Sequence, residues 1–458
     1  MTDEFDAVHS RVRERVTPTP DERERLQTVA AELADRARDA VADLPVDADI
    51  IQVGSTARET WIAGDRDIDL FVAFPPDLPR EQLAEYGLAV GHAVLPEGHE
   101  EYAEHPYVVG EYEGYDVDCV PCYAVSDATE IQSAVDRTPF HTRYLDAHLT
   151  DDLADDVRVC KQFFKGIGVY GSDLRTRGFS GFLTELLVLE YGGFRPLIEA
   201  AAEWHPQVKF DPEAHGRETF DDPLVVIDPT DPERNVAAVL SETNVARLQH
   251  YAREFVADPR EDLFEPSEPE AMDAADVRAA IDARKTTPIA VRFDAPDVVQ
   301  DQLWPQLEKS RAGIGDELDR RGFDVFRSAA FATDTGEDDT AVLLFELAVA
   351  ERPRVERHDG PPVHVREHAT GFYEKYAAES ERPPYGPFID GGRYVVERER
   401  EFTHATEFLD SAAVFETALG VHVESALKAG YDLLAGEEVA SLAASLGDDL
   451  RRYFDPAP

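Results

Sequence analysis

The stretch Asp49-Ile50-Ile51-Gln52-Val53, then Gly54-Ser55-Thr56-Ala57-Arg58, then Asp67-Ile68-Asp69-Leu70-Phe71-Val72-Ala73-Phe74 constrains the fold of this chain more than any other. Asp49–Val53 and 67–74 read as buried strands. Gly54 permits a tight turn between them, and Ser55 suits the N-cap of a helix starting near Thr56. Side chains alternate along a strand, so Asp67 and Asp69 are predicted to share one face while Ile68 and Leu70 enter the core. Two acids side by side repel unless a cation lies between them. A helix N-terminus, the Ser55 hydroxyl and the Arg58 guanidinium one turn on offer donors to an anion. A Gly-Ser turn alone is commonly a plain cap, and an Asp-x-Asp alone is commonly a solvated strand face. Together, in this order, they predict carboxylates, a divalent cation and phosphates meeting at one place.

A third carboxylate belongs with such a pair, because two-metal phosphoryl chemistry commonly uses three acids. It lies in Gly114-Tyr115-Asp116-Val117-Asp118-Cys119-Val120-Pro121-Cys122-Tyr123, another alternating strand. Asp116 and Asp118 share a face there. Asp118 is preferred because it lies deeper in the apolar run, with Asp116 as the alternative. Hard oxygen ligands of this kind, completed by substrate phosphates, suit Mg²⁺. The predicted chemistry is metal-dependent nucleotidyl transfer.

Gly54-Ser55, Arg58, Gly64-x-x-Asp67-x-Asp69 and Asp116-Val117-Asp118-x-Val120-Pro121 resemble the nucleotidyltransferase domain of the polymerase-beta superfamily. A longer match takes in Pro139-Phe140-His141, Lys161 through Tyr170-Gly171, and Arg177-Gly178-Phe179-Ser180-Gly181-Phe182-Leu183-x-Glu185-Leu186-Leu187. It resembles the archaeal (class I) CCA-adding enzymes, the tRNA nucleotidyltransferases. Many members carry Glu where this chain has Asp67; either carboxylate can ligate Mg²⁺. The resemblance implies that Asp67, Asp69 and Asp118 carry the metals and that Ser55 and Arg58 hold the triphosphate. It implies that His141, Lys161 and Tyr170 contact the nucleotide from a second domain, Lys161 and Tyr170 at the phosphates, and that Phe179 lies against the base. The implied reaction adds CCA to the 3′ end of tRNA from CTP and ATP, the acceptor stem and 3′ end being the RNA contacted. A homodimer is implied by the same analogy. A poly(A) polymerase-like activity and a non-catalytic RNA-binding role are the alternatives; retention of all three acids argues against the second.

Only seven lysines occur, and Lys161 and Lys165 stand one helical turn apart. A compact point charge in a chain that otherwise prefers Arg suits phosphate, although Lys165 on a solvated helix face is equally compatible with the pattern. The balance of 94 acidic against 45 basic residues gives a net charge of −49. The acids are dispersed and hydrophobic content is 43%, which excludes a disordered acidic tail. Dispersed acid with few lysines fits molar intracellular salt. Such a charge opposes RNA binding, but at ~1 M salt the Debye length is about 3 Å, so long-range repulsion is screened. Arg175, Arg177 and Arg195, or Arg352, Arg354 and Arg357, form local basic patches, and recognition is expected to lean on shape, 2′-hydroxyls and stacking. Cys119-x-x-Cys122 lacks a second Cys/His pair and reads as packing. No signal peptide and no run of eighteen apolar residues occur, so a cytoplasmic protein without a membrane span is expected.

The expected fold class is α+β multidomain. It comprises a polymerase-beta-like catalytic domain (1–139), a mainly helical second domain (140–257), a small α+β RNA-binding domain (272–380) and a mostly helical C-terminal tail (381–458). Residues 211–234 carry a short strand or ordered loop at 224–229, and 258–271 read as a linker. In the third unit strands are expected at 287–293, 322–333 and 341–349, with a helix at 298–321. Residues 358–388 read as an extended surface arm. Helices are expected at 408–419, at 423–434 and up to Tyr453.

Overall fold

The computed structural model describes residues 2–102, 104–266, 270–333, 339–378 and 385–458. The chain divides into two compact units, residues 1–267 with Pro458, and 268–457.

The first unit begins with helices α1 (Thr2–Val16) and α2 (Pro20–Ala42), the latter opened by a capping box between Thr19 and Glu22. Strands β1 (Asp49–Val53) and β2 (Asp67–Phe74) flank a single helical turn, α3 (Gly54–Ala57). Helix α4 (Arg80–Val94) and strands β3 (His99–Tyr102), β4 (Pro106–Tyr112) and β5 (Tyr115–Tyr123) complete a sheet of order β1-β2-β5-β4-β3. Only β2 and β5 pair in parallel within it. Alternation decides the two faces. Ile68, Leu70, Val72 and Phe74, with Val117 and Cys119, join Leu26, Leu33, Leu83 and Val90 of α2 and α4 in one core. The opposite face carries Val53, Phe71, Ala73, Val120 and Cys122. Cys119 and Cys122 therefore point to opposite faces and cannot share an ion; burial pushes both thiols up to about 12, as the packing interpretation requires.

Helices α5 (Thr138–His148), α6 (Asp151–Gly166), α7 (Gly181–Tyr191), α8 (Phe194–Ala202) and α9 (Glu242–Ala257) build the helical part. Short strands β6 (Val208–Phe210), β7 (Leu224–Asp228) and β8 (Asp231–Asn235) lie among them. The apolar positions of α1, Phe5, Val8, Val12 and Val16, enter this helical core with Phe163, Phe194 and Phe255. Helix α1 thus packs away from the sheet that follows it in sequence, because Phe5, Val8, Val12 and Val16 join the core of the helical part, where the Phe5 ring meets Phe194 of α8 and Phe255 of α9.

The second unit opens with a helix that was not expected, α10 (Ala274–Arg284), after which β9 (Thr287–Asp294), α11 (Gln300–Arg320), β10 (Val325–Ala332) and β11 (Thr340–Leu347) match the order expected. Residues 358–388 do not form a surface arm. Strand β12 (Val355–Pro362), helix α12 (Arg366–Ala378), β13 (Tyr385–Asp390) and β14 (Arg393–Glu399) make a three-stranded sheet with one helix against it; residues 379–384 lie outside the described residues. What holds this layer is aromatic packing between α12 and the sheet, Phe372 and Tyr376 against His358 and Tyr394, with Gly360 leaving room for the Phe372 ring.

Helix α13 (Ala405–Leu409) stops early and a 3₁₀ turn at Ala412–Glu416 follows, where one helix over 408–419 was expected. Helix α14 (Val421–Ala429) ends at Gly430, whose φ of +155° only glycine adopts freely. The expected continuation to Leu434 is instead strand β15 (Asp432–Ala435), which pairs with β9 and extends the sheet to β10-β11-β9-β15. Helix α15 (Ala443–Phe454) closes the chain by laying Leu446, Leu450 and Tyr453 on that sheet's core.

Candidate active site

The acids stand on the face of the first sheet that α2 and α4 leave open. Asp67 pairs in register with Asp116 and Asp69 with Asp118, on adjacent parallel strands, roughly 4.8 Å apart across the ladder. Asp67 and Asp116 are exposed, Asp69 and Asp118 half-buried. Burial raises Asp69 to about 6, reinforced by Asp118 and then Asp67. Asp118 also rises to about 6, through burial, then Glu101 and Asp67. Burial lifts Asp67 as well, with Asp65 and Asp116 adding and Lys165 opposing. Each of these carboxylates resists its own charge, which is the electrostatic condition a bound cation relieves.

Strand β1 brings the turn to the same place. Val53 registers with Asp69, and a Cβ on Gly54 would lie 1.8 Å from Asp69 Oδ2. With a φ of +77° as well, this position admits only glycine. Ser55 differs from the expectation: the one-turn helix starts at Gly54, its N-cap is Val53, and no side chain caps it. The Ser55 hydroxyl is therefore not engaged as a cap, while its carbonyl accepts from Thr60 N–H at 2.9 Å.

The donor set is all oxygen, and Mg²⁺ commonly binds one or two carboxylates with phosphates and water completing its shell. Among the described residues no three His, Cys, Asp or Glu groups already converge at ligand spacing. A Mg²⁺ site completed by substrate fits these residues, whereas a preformed all-protein cage does not.

The nucleotide residues divide. Arg58, 8% exposed at its side chain, donates from Nη2 to Glu185 Oε2 at 2.9 Å and from Nη1 to Thr142 at 3.2 Å. Lys161 is buried and donates to Glu185 at 3.3 Å and to the Thr60 carbonyl at 3.1 Å. Its pKa is lowered by burial, against the opposing pull of Glu185. Lys165, one turn on, is a third exposed, 3.2 Å from Asp65 Oδ1 and 5.5 Å from the Tyr170 ring centre. The Tyr170 hydroxyl is pushed well up by burial.

His141 Nε2 lies 2.8 Å from Asp228 Oδ2, and its ring stacks on Phe182 at 3.8 Å. Burial drives its pKa down, against the opposing pull of the Asp228 carboxylate. Burial works against the Asp228 charge too, but hydrogen bonds from His141 and Thr230 overcome it and leave that carboxyl firmly ionised. Arg234 Nη1 reaches the same Asp228 oxygen at 2.8 Å. A cavity of about 290 Å³ is lined by His141, Ser180, Phe182 and Arg234. A larger one of about 910 Å³ adjoins it, sharing Arg137 and Arg234. The acids line neither cavity.

Phe179 does not stand where a base could touch it. It is fully buried, packed on Phe164 at 4.6 Å, because the backbone of 178–179 pairs with Val169 and Gly171 and turns the ring into the helical core. Phe182, three residues on, supplies the ring at the cavity. Phe179→Ala is expected to cost about 3–5 kcal/mol of stability while the ratio of C to A incorporation stays unchanged. Thermal unfolding and incorporation in molar KCl would test this; unchanged stability with lost nucleotide affinity would restore Phe179 to the base.

Asp228 and Arg234 were not singled out by pattern, and Glu185 entered only as one position of the 177–187 match, with no role assigned. Glu185 carried one signal, an acid in the apolar run Leu183-Thr184-Glu185-Leu186-Leu187-Val188, which reads as a buried partner for a cation. Asp228 and Arg234 gave none, because their meeting depends on how β7 turns into β8.

Comparison with known proteins accords with this arrangement. Residues 34–141 match the nucleotidyltransferase domain, 155–265 the tRNA nucleotidyltransferase second domain, and 284–436 the CCA-adding enzyme C-terminal domain. The chain is 66% identical to the CCA-adding enzyme of Haloarcula marismortui and 62% identical to that of Halorubrum lacusprofundi, over the whole of both chains in each case. It is 45% identical to that of Methanoregula boonei over 93% of this chain and 90% of the other. No described helix is long and apolar enough to cross a membrane. With full-length likeness at this level, and the three acids of one sheet face beside a glycine turn, the chain belongs to the CCA-adding enzyme family of tRNA nucleotidyltransferases.

Proposed function

We propose that Asp67, Asp69 and Asp118 hold Mg²⁺ for addition and repair of the tRNA 3′-terminal CCA. The triphosphate of CTP or ATP lies between them and Ser55, Arg58, Lys161 and Tyr170. The observation that carries this reading is the register of β2 on β5, with Asp69 beside Asp118 against the Gly54 turn. That Asp118 and not the more exposed Asp116 faces Asp69 favours Asp118 as the third acid.

When bound, the divalent cation supplies positive charge at the α-phosphate and at the departing pyrophosphate. The other steps belong to the chain's own groups. Asp118 orients the tRNA 3′-hydroxyl for in-line attack on the α-phosphorus. The new O–P bond forms as the hydroxyl gives up its proton to the Asp118 carboxylate and the bond to the bridging oxygen breaks, and pyrophosphate leaves with that electron pair. Ser55 and Arg58 donate to the phosphate oxygens, and Lys161 adds charge behind them. His141, fixed by Asp228 and stacked on Phe182, borders the cavity offered to the nucleoside. The acceptor stem and 3′ end of tRNA are the inferred RNA contacts, the cytoplasm the inferred compartment and a homodimer the inferred assembly.

An incorporation assay tests this reading. In molar KCl with Mg²⁺, tRNA ending at its discriminator base is expected to gain two C residues from CTP alone and a single A once ATP is added. Long A tails would favour the poly(A) polymerase-like alternative. No incorporation by folded protein would sink both enzymatic readings.

A further inference from the structure

Arg58, Lys161 and Glu185 form a buried charged triplet around the turn that follows β1. Glu185 is 0% exposed at its side chain, Lys161 3% and Arg58 8%. Arg58 grips the carboxylate with Nε at 3.4 Å from Oε1 and Nη2 at 3.2 and 2.9 Å from the two oxygens. Lys161 Nζ approaches Oε1 from the other side at 3.3 Å. The Thr60 hydroxyl donates to that oxygen and receives Lys161 Nζ at 3.2 Å. The segment is fixed further by buried Arg158, which donates to the carbonyls of Trp61, at 3.1 Å, and Glu59. Every residue from Arg58 to Trp61 is thus tied to the helical part through a charged group on α6 or α7.

The sum of charges is the informative point. A buried ion pair is normally neutral, since an uncompensated buried charge is costly. Here two cations share one carboxylate, leaving one positive charge over within the triplet; the next carboxylates that feel it are Asp69 and Asp146 for Arg58 and Asp65 for Lys161. Arg58 has five N–H groups; Glu185 and Thr142 occupy one edge and one corner, and a donor on Nη1 remains. On the Lys161 side α7 begins with Gly181, where a Cβ would stand 3.3 Å from the Tyr170 hydroxyl and 3.9 Å from Lys161 Nζ. The missing side chain keeps the space beside both groups open.

We infer that Glu185 is a positioning residue for nucleotide binding. Its carboxylate holds Arg58 and Lys161 side by side and aims them at the triphosphate, while cancelling only half of their charge. The inference rests on the assignment of Arg58 and Lys161 to the triphosphate. Without Glu185 the two cations repel, Arg58 loses its bidentate anchor, and CTP and ATP suffer equally because neither base is involved.

The test is the KM for CTP and for ATP in molar KCl with Mg²⁺, for Glu185→Gln, Lys161→Gln, Arg58→Gln and the double variant Lys161→Gln/Glu185→Gln. Folding is checked by circular dichroism in the same salt. Glu185→Gln is expected to raise both KM values by a common factor of about 10 to 100, the loss of one or two charge-assisted contacts, with the KM for tRNA unchanged. The double variant removes the lysine together with its partner, so it keeps the test decisive even where Glu185→Gln fails to fold. It is expected to show KM values about tenfold above those of Lys161→Gln. Equality of the two would mean that Glu185 only neutralises a buried lysine, and the inference would be overturned. If Arg58→Gln left both KM values unchanged, the assignment of Arg58 to the phosphates would fall, and the inference with it. If Arg58→Gln raised them while the double variant matched Lys161→Gln, the assignment would stand and only the role of Glu185 would be lost.

Discussion

Asp69→Asn is expected to lower kcat for both CTP and ATP by on the order of 10³-fold or more, with tRNA affinity held within about twofold. The substitution keeps the shape of a side chain pressed against Gly54 and removes only its charge. The same variant carries a stability signature. Asp69 has its pKa raised from 3.8 to about 6 by burial, then by Asp118 and Asp67. A raised carboxyl pKa means that the folded state holds this proton more tightly than the unfolded chain. Its contribution to stability is therefore present below 3.8 and lost as pH rises through about 6. At neutral pH the ionised carboxylate opposes folding, so without divalent cation Asp69→Asn should melt above the parent. Added Mg²⁺ should reverse that order, because a ligand of the folded state raises the melting temperature of the protein that binds it. Turnover equal to the parent's, or a melting temperature equally sensitive to Mg²⁺ in both proteins, would remove Asp69 from the metal site.

The second large effect concerns salt. Lowering KCl from about 2 M to about 0.1 M is expected to reduce the melting temperature by at least about 10 °C, as the Debye length grows from a few Å to about 10 Å. Two opposing contributions are screened together. Exposed pairs such as Arg38–Asp35, Arg354–Glu399 and Lys428–Glu424 each contribute at most about 1 kcal/mol. Against them stands the self-repulsion of 49 uncompensated negative charges, which acts across the whole surface and destabilises the compact state. Repulsion wins because it scales with the excess charge, so screening is net stabilising. The buried pair Arg58–Glu185 is shielded from salt and should hold its local structure longest. Sucrose strengthens burial without screening and should recover only part of the loss; full recovery would show that self-repulsion is not the cause.

The site was legible in the sequence where its signal was local. A glycine turn between two apolar strands, and acids at alternate positions, place Asp67 with Asp69 on one face of their strand and Asp116 with Asp118 on one face of theirs, because a strand has a period of two; that the two faces coincide is decided by the parallel register of β2 on β5. The strands 287–294 and 340–347 and the long helix after residue 300 were legible for the same reason. Contacts between distant segments were not. Lys161 and Lys165, one turn apart, both offer a charge that suits phosphate, with a solvated face equally compatible for Lys165; packing of α6 on α7 buries Lys161 against Glu185 and leaves Lys165 a third exposed beside Asp65. Phe179 reads as part of a binding motif, but its direction is decided by the pairing of 178–179 with 169–171. Residues 432–435 continue a helical pattern in isolation and become a strand because β9 offers an unpaired edge. The residue types and spacing determined by themselves which chemistry the chain carries and which strand face carries it. Only the tertiary structure decided which charges are buried together, since burial and pairing depend on segments more than twenty residues apart in sequence, as Lys161 and Glu185 are.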